Sequence, residues 1–519
     1  MFNKQLLRKA YLFNLSAIAV MLPLSVWLLT FFIITLIVIW AADGGPLRIA
    51  GIRKNNPALL IFTGSYFVFL LWMFNTSDIR YGLRELEQKL PLLLMPLVIA
   101  LSEPPDTKEL RTILSLFVGG VIISSATGLV FFYVNSQNDA NIRGISMFIP
   151  YMQLAEMANM AIVISLYYYF RNQSGRTRYL YLVSAIWLTG FLFLLISITG
   201  LLLLTCLTAI GLFLLIKGTH NKVLKAGSLT ATVVIIVLAG GYIHHEIKGF
   251  YISNGNEYTY LLKENTINGN PYQHYPERKD IENGNPVWIY LCEQELSKEW
   301  NRRSLIKYDS TDLRNQQIKY TIIRYITSKG FTKDSSGVTQ LTNDDIKYIE
   351  NGLTNVLFTG GKQIKSKIYE VIWQIDYYRN GGNPSGHSVT QRLEFLKTGW
   401  SCFRRSMIFG TGTGDFRDEM VNQYIKDKSK LDVKYWYLPH NQYLTFLIAF
   451  GITGLAIILF SVIYPVIITR AGKNILFNLF LLIILLSMAG EDTLETHTGV
   501  TFFAYFYSLF VFGRNEKTF

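Results

Sequence analysis

Apolar residues along the chain gather into runs of roughly 15–30 positions, divided by short polar stretches and, once, by a polar segment of nearly two hundred residues. Runs of that length with almost no charge predict membrane-crossing helices, not the amphipathic helices of a water-exposed core. Twelve are read near 12–25, 27–41, 57–76, 87–101, 109–134, 150–170, 179–197, 199–216, 227–245, 440–468, 473–490 and 498–513, the first two short and joined around Leu24 and Ser25. An even number of crossings puts both termini on one side.

The polar segment 246–439 is too long for a connection, and stretches of more than about 15 unstructured residues signal function or disorder. Helical periodicity over Asp312–Lys329, Asn343–Phe358 (behind a Thr342 or Asn343 cap) and Ser388–Met407 argues for order, with Trp288, Trp300, Trp373 and Trp400 available for a small core. Turn signals at Asn254-Gly255, Asn268-Gly269, Asn283-Gly284 and Gly381-Gly382 divide its elements. The expected fold is therefore an all-α polytopic membrane protein: helices 1–9 in residues 1–245, a mostly helical exterior domain in 246–439, and helices 10–12 in 440–519.

Charge supports this topology. Of the residues 50% are hydrophobic and 16% charged, with a formal net charge of +13. Lys4, Arg8, Lys9, Lys108, Arg111, Arg171, Arg176, Arg178, Arg470 and Lys473 all fall on one side of the expected membrane, whereas the short loops opposite hold only Arg80, Arg84, Lys89 and Arg143. That asymmetry is the positive-inside pattern and assigns both termini to the cytoplasm. Segment 246–439 is nearly balanced, with 27 basic and 23 acidic residues, so the basic charge reports topology and implies no nucleic-acid partner. The first apolar run lacks a small-residue cleavage site and reads as a retained anchor. Cys206, Cys292 and Cys402 form no metal spacing, and a Cys292–Cys402 bridge is the pairing open to them in an oxidising compartment. No internal repeat of the kind that builds many transporters is present, which weighs against a polysaccharide flippase.

Candidate chemistry sits where the polar segment re-enters the membrane. In Leu438-Pro-His-Asn-Gln-Tyr-Leu, His440 stands at the junction, where a group titrating near neutrality can take a proton from a hydroxyl while a lipid stays in the bilayer. The alternative is a His440–Asn441 pair that caps the following helix. Arg392 lies in the first turn of the helix beginning near Ser388, and its planar, permanently charged guanidinium suits a phosphate. The Gly410-Thr-Gly-Thr-Gly-Asp415 run lacks the strand before and Lys-Ser/Thr after that a phosphate-cradling loop needs, and reads as a tight turn. Glu156 lies inside the sixth crossing with Gln153 and Asn159 on the same face; an acid at membrane depth marks a polar cavity or an internal partner. Glu491, Glu495 and Asn441 are candidates for orienting the imidazole or holding an acceptor, and His387 reads as a cap neighbour.

This order of features resembles the O-antigen ligase family: a long outer domain, an arginine-bearing helix, Gly-Thr-Gly-Thr-Gly-Asp, His-Asn-Gln-Tyr-Leu, Gly451-Ile-Thr-Gly-Leu455 and Glu491-Asp-Thr-Leu-Glu-Thr-His-Thr-Gly-Val500. Within the outer domain, Gly269-Asn-Pro-Tyr272, Glu282-Asn-Gly284, Trp300-Asn-Arg-Arg-Ser304 and Arg324-Tyr-Ile-Thr-Ser-Lys-Gly330 resemble its long-loop branch. The resemblance implies a multi-pass enzyme of the bacterial inner membrane, with a periplasmic active site and no metal or other cofactor. Its donor would be an undecaprenyl pyrophosphate-linked glycan and its acceptor a lipid A-core hydroxyl. It also implies His440 as base and Arg392 as a pyrophosphate ligand. One departure stands out. A Ser-Arg-Thr/Gly element is usual between the seventh and eighth crossings, but this chain reads Ser197-Ile-Thr-Gly200, with Ile198 in the arginine's place. Arg143 is the leading substitute, ahead of Arg80 and Arg84. Polymerisation of O-antigen and protein O-glycosylation use the same donor with another acceptor and remain alternatives.

Overall fold

The computed structural model describes residues 3–49, 56–135, 142–171, 175–195, 197–218, 222–252, 262–278, 280–359 and 363–513. They form two compact units, Met1–Gly211 with Arg392–Phe519, and Leu212–Gln391. Residues 392–439, read from sequence as the end of the exterior domain, thus pack within the first unit.

The chain opens with α1 (Lys4–Met21), α2 (Val26–Ala42), α3 (Pro57–Leu71), α4 (Ile79–Lys89), α5 (Pro91–Ala100), α6 (Thr107–Asn135), α7 (Tyr151–Arg171), α8 (Arg176–Leu195) and α9 (Ile198–Gly218). Next come α10 (Lys222–Ile252), α11 (Glu293–Arg303), α12 (Ile318–Ser328), α13 (Ser335–Thr339), α14 (Asn343–Glu350) and α15 (Gln363–Arg379). It closes with α16 (Ser388–Arg405), α17 (Phe416–Lys426), α18 (Gln442–Ile468), α19 (Ile475–Ser487) and α20 (His497–Val511). Among the described residues, Pro57–Asn75, Thr107–Val134, Arg176–Leu195 and Gln442–Ile468 are long and apolar enough to cross a membrane, and Val26–Ala42, Ile198–Phe213 and Ile475–Ser487 are shorter apolar helices. The protein is an all-α, multi-pass membrane protein. Seven of the twelve expected crossings contain one of these helices. Where hydropathy predicts a crossing over 87–101, Pro91 starts a separate ten-residue helix behind α4, about 15 Å long.

Helix α20 is the centre of the first unit. Every residue from Thr498 to Val511 is buried, as a helix apolar on all sides requires. Its aromatic run meets aromatics of its neighbours: Tyr507 stacks on Phe62 of α3 at 4.1 Å, and Phe506 meets Phe117 of α6 edge-on at 4.8 Å. The phenols do not lose their hydrogen bonds on burial, because Tyr505 donates to the Leu15 carbonyl at 2.7 Å and Tyr507 to the Val462 carbonyl at 2.6 Å.

Helix α18 is broken at Gly451, whose φ of 65° and ψ of −169° leave the helix. A break at membrane depth frees backbone groups that hydrocarbon cannot satisfy. The segment 407–412 satisfies them: the Ile452 amide donates to the Met407 carbonyl (2.8 Å) and that of Thr453 to Ile408 (3.2 Å), while the amides of Thr411 and Gly412 donate to Ile448 (2.9 Å) and Ala449 (2.8 Å). The glycine run is thus a backbone splint for α18. Space explains its glycines, since a Cβ at Gly412 would lie 2.3 Å from the Asn75 carbonyl oxygen and one at Gly410 2.4 Å from the Ala449 carbonyl carbon. Asp415 ends the run by accepting the amides of Ser77 (2.7 Å) and Asp78 (2.8 Å), which fixes the start of α17 against α4.

The second unit has its own core of Leu296, Trp300, Ile322, Ile323, Ile326, Ile346 and Ile349, from one face each of α11, α12 and α14. The helix expected from Asp312 starts at Ile318, because the Asp312 carboxylate accepts the Arg314 and Gln316 amides at 2.9 and 3.0 Å and holds a turn instead. Thr342 and Asp345 close a capping box on α14, which stops at Glu350 because Gly352 (φ 74°) turns the chain out. Asn283 (φ 47°) and Gly284 (φ 83°) make the two-residue turn of a ribbon pairing Ile281 with Pro286 and Glu282 with Asn285. Asn254-Gly255 lies outside the described residues. Cys206, Cys292 and Cys402 are free thiols.

Candidate active site

Pro439 leads into His440, which takes a left-handed backbone (φ 50°), and Asn441 then turns the chain into α18. A left-handed histidine is strained and has to be held by its surroundings. The loop between α19 and α20 does so. Asp492 accepts the His440 amide through Oδ2 at 2.8 Å and the Thr445 hydroxyl through Oδ1 at 2.7 Å. Asn441 is the cap proper: its Oδ1 accepts the Leu444 amide at 3.0 Å and its Nδ2 donates to the Ala489 carbonyl at 3.0 Å. Burial pushes the Asp492 carboxyl up to about 6, against the hydrogen bond from Thr445.

The His440 side chain is held from a second direction. Its Nδ1 lies 3.3 Å from Glu491 Oε2, and Glu491 Oε1 accepts a hydrogen bond from Arg392 Nη2. Glu491 is almost fully buried, whereas Arg392 and His440 are each about a third exposed (32% and 31%). Arginine, glutamate and histidine thus form one chain that ends at the imidazole. A carboxylate only accepts, so Nδ1 is the donor of this contact, and Nε2 is the ring nitrogen that Glu491 does not engage. Phe395, one turn beyond Arg392 on α16, lies against the imidazole at 5.6 Å.

His440 and Glu491 open onto a cavity of about 400 Å³ lined also by Tyr81, Glu85, Gln153, Glu156, Arg417, Trp436, Tyr437, Asp492, Thr493, Glu495 and Thr496. Glu495 accepts from Gln442 Nε2 (2.7 Å) and from Lys89 Nζ (2.8 Å), and Lys89 also pairs with Glu85 at 3.2 Å. Lys89 is fully buried and stays charged between two carboxylates, donating hydrogen bonds to Glu495 and to the Leu494 carbonyl (2.6 Å). On α7, Gln153 donates to Thr496 and Asn159 to the Ala155 and Gly200 carbonyls (2.9 and 3.0 Å). Glu156 differs. The Thr493 hydroxyl reaches Oε1 at 3.5 Å, and Oε2 is buried with no partner among the described residues.

Arg143 falls in a short turn, Ile142–Ile145, and its side chain lies outside the described residues. Arg80 and Arg84 are exposed on α4, and Ile198, at the start of α9, is 46% exposed. Sequence reading passed over Arg417. It follows the glycine run on the first turn of α17, lines the cavity, lies 6.0 Å from the Tyr81 ring and has no carboxylate partner among the described residues. Its nearest signal was position, two residues beyond Asp415, the anchor that aims α17. His387 belongs to the second unit and packs edge-on to Trp373 and Tyr377.

Residues 348–459 match the family model described as O-antigen ligase, which bears out the resemblance read from sequence. The matched stretch includes Arg392, the glycine run, Arg417 and His440, and stops short of Glu491. No curated protein matches the chain.

Proposed function

We propose, from the O-antigen ligase family matched over residues 348–459, that this chain transfers a glycan from undecaprenyl pyrophosphate to a lipid A-core hydroxyl at the periplasmic face of the inner membrane. The topology that goes with this reading has twelve crossings, both termini in the cytoplasm and residues 246–439 outside. The carrying observation is the chain from Arg392 through Glu491 to His440 at the cavity wall.

In the proposed step His440 Nε2 removes the proton of the acceptor hydroxyl as its oxygen bonds to the anomeric carbon. The bond from that carbon to the pyrophosphate oxygen breaks, and its electron pair leaves with the pyrophosphate. One displacement of this kind inverts the anomeric centre. Glu491 fixes the tautomer and stabilises the imidazolium that forms, as the acid of a catalytic triad does. Pyrophosphate is a good leaving group, so what remains is orientation and charge stabilisation. Arg417 lines the cavity with no carboxylate partner among the described residues and takes that task; Arg392, held by Glu491 and outside the cavity lining, is a second proposed phosphate ligand. Arg143 is a further candidate phosphate ligand. The partnerless oxygen of Glu156 is the proposed contact for an acceptor hydroxyl, beside Glu495 and Asn441, which hold the loop and the helix cap.

The test is a gel of surface lipopolysaccharide and carrier-linked glycan from a deletion strain complemented with wild type or His440→Ala. Long chains stranded on the carrier and bare lipid A-core, rescued only by wild type, support ligation with His440 as base. Single repeats on the core make the enzyme a polymerase. Unchanged lipopolysaccharide indicates another acceptor or a transporter, and full rescue by His440→Ala removes the proposed base.

A further inference from the structure

The second unit contains a recess that the proposed chemistry leaves unused. Helix α15 carries Trp373 and Tyr377 one turn apart with parallel rings (5.0 Å, 9°), and His387 stands edge-on to both at 5.2 and 5.6 Å. Arg324 of α12 lies 4.3 Å from the Trp373 ring. Two hollows of about 320 and 200 Å³ share Arg324, Trp373 and His387 as walls, and Trp288 and Tyr320 close the smaller one. Aromatic rings wall both hollows, and Arg324 and His387 are the polar groups they share; Arg314 and Glu370 line the larger one as well, and Asp280 and Glu282 the smaller.

The two shared groups are held in place yet unspent. Arg324 Nε donates to Glu282 at 2.6 Å, and Glu282, fully buried on the ribbon, also accepts from Asn355 at 2.6 Å. The pair cancels the arginine's charge and fixes its plane, while its Nη groups carry no hydrogen bond to a described residue. The His387 ring makes none either, and burial holds its pKa below the ordinary histidine value, so it is a neutral donor and acceptor. Arg314 and Arg324 are matched by Asp280, Glu282 and Glu370 along the same walls, so an anion finds no net positive charge here, and a purely apolar ligand would bury the free donors unsatisfied. A pyranose ring fits both demands, with C–H faces for the aromatic surfaces and hydroxyls for Arg324 and His387.

We infer that this cleft of the second unit is a carbohydrate-binding site, separate from the cavity that holds His440, that takes a pyranose unit of a glycan chain. The choice of glycan rests on the proposed transfer reaction; the recognition does not. The test uses the full-length protein in detergent and saturation-transfer NMR with two probes: the oligosaccharide released by mild acid from the carrier-linked glycan, and the free core oligosaccharide. Wild type should transfer saturation to ring protons of at least one, and which one assigns the site to donor or acceptor. Tyr320→Ala and His387→Ala change side chains at the cleft wall and should each weaken that binding about tenfold, as loss of one stacking or hydrogen-bonding contact does. His440→Ala should bind like wild type. Absence of transfer to both probes, wild-type binding by both cleft variants, or loss of binding in His440→Ala overturns the site. If His440→Ala remains active while the cleft variants lose sugar, the catalytic reading fails and the cleft stands.

Discussion

Glu491 contacts His440 with one carboxylate oxygen and Arg392 with the other, so the imidazole and the guanidinium are tied through one buried group. Glu491→Gln keeps the shape but removes the charge that stabilises an imidazolium. Purified Glu491→Gln should transfer glycan at least a hundredfold more slowly with donor KM changed little, since the lost interaction forms fully only in the transition state. Arg392→Lys keeps the charge but loses the planar fork and should fall less. A Glu491→Gln enzyme within threefold of wild type would remove Glu491 from the mechanism.

Arg417 gives the opposite signature. A guanidinium on the cavity wall with no carboxylate partner among the described residues contributes to ground-state and transition-state binding alike, so Arg417→Ala should raise donor KM about tenfold to a hundredfold, from a charge-assisted contact worth ~1.5–3 kcal/mol. Arg417→Lys should recover part of this, and Arg84→Ala, on the exposed face of α4, should change donor KM less than twofold. Equal effects at Arg417 and Arg84 would mean general electrostatic attraction in place of a phosphate contact.

Helices with a strong apolar period and the cap at Thr342 were legible in the sequence because their causes are local. The cavity was legible only in part. His440 and Arg392 stood out through type and position, and Glu491 was one of several loop acids until the fold put it between them. The Glu85–Lys89–Glu495 cluster spans more than 400 residues and has no local period to betray it. Arg417 looked like an ordinary first-turn residue because the splint that aims α17 is tertiary. The break in α18 was hidden for another reason: Gly451 sits in an uninterrupted apolar run, and hydropathy measures composition, not backbone conformation.

That break makes a stability prediction. A Cβ at Gly451 would lie 2.3 Å from the Ile408 carbonyl oxygen at a φ of 65° that L-residues rarely adopt. Gly451→Ala should therefore cost about 2–4 kcal/mol through strain and displaced backbone hydrogen bonds. Thermal unfolding in detergent should show it as a lowered midpoint, and transfer should fall too, because α18 carries His440 at its start. A Gly451→Ala protein with an unchanged midpoint would mean that the helix straightens and that the splint is dispensable.

Glu295 makes the clearest pH prediction. Burial alone would raise its pKa, but Asn270 (2.7 Å), Thr266 (2.6 Å), Ser335 (2.7 Å) and Asn268 (3.0 Å) donate to its carboxylate and outweigh burial, holding it near 2 against an ordinary 4.5. The folded pKa is depressed, so the stabilisation is fully present above the unfolded value and is lost as pH falls from about 4.5 towards 2. The shift corresponds to ~3 kcal/mol. These bonds tie the Thr266–Asn270 turn to α11 and α13, so hydrogen exchange at the Thr266 and Gly269 amides is the local readout. Below pH 4.5 wild-type protection should decline, beyond the change in intrinsic exchange rate. Glu295→Gln should start from lower protection at pH 7 and show no such step. Wild-type protection that stays level between pH 5 and pH 3 would mean that the carboxylate does not hold the turn.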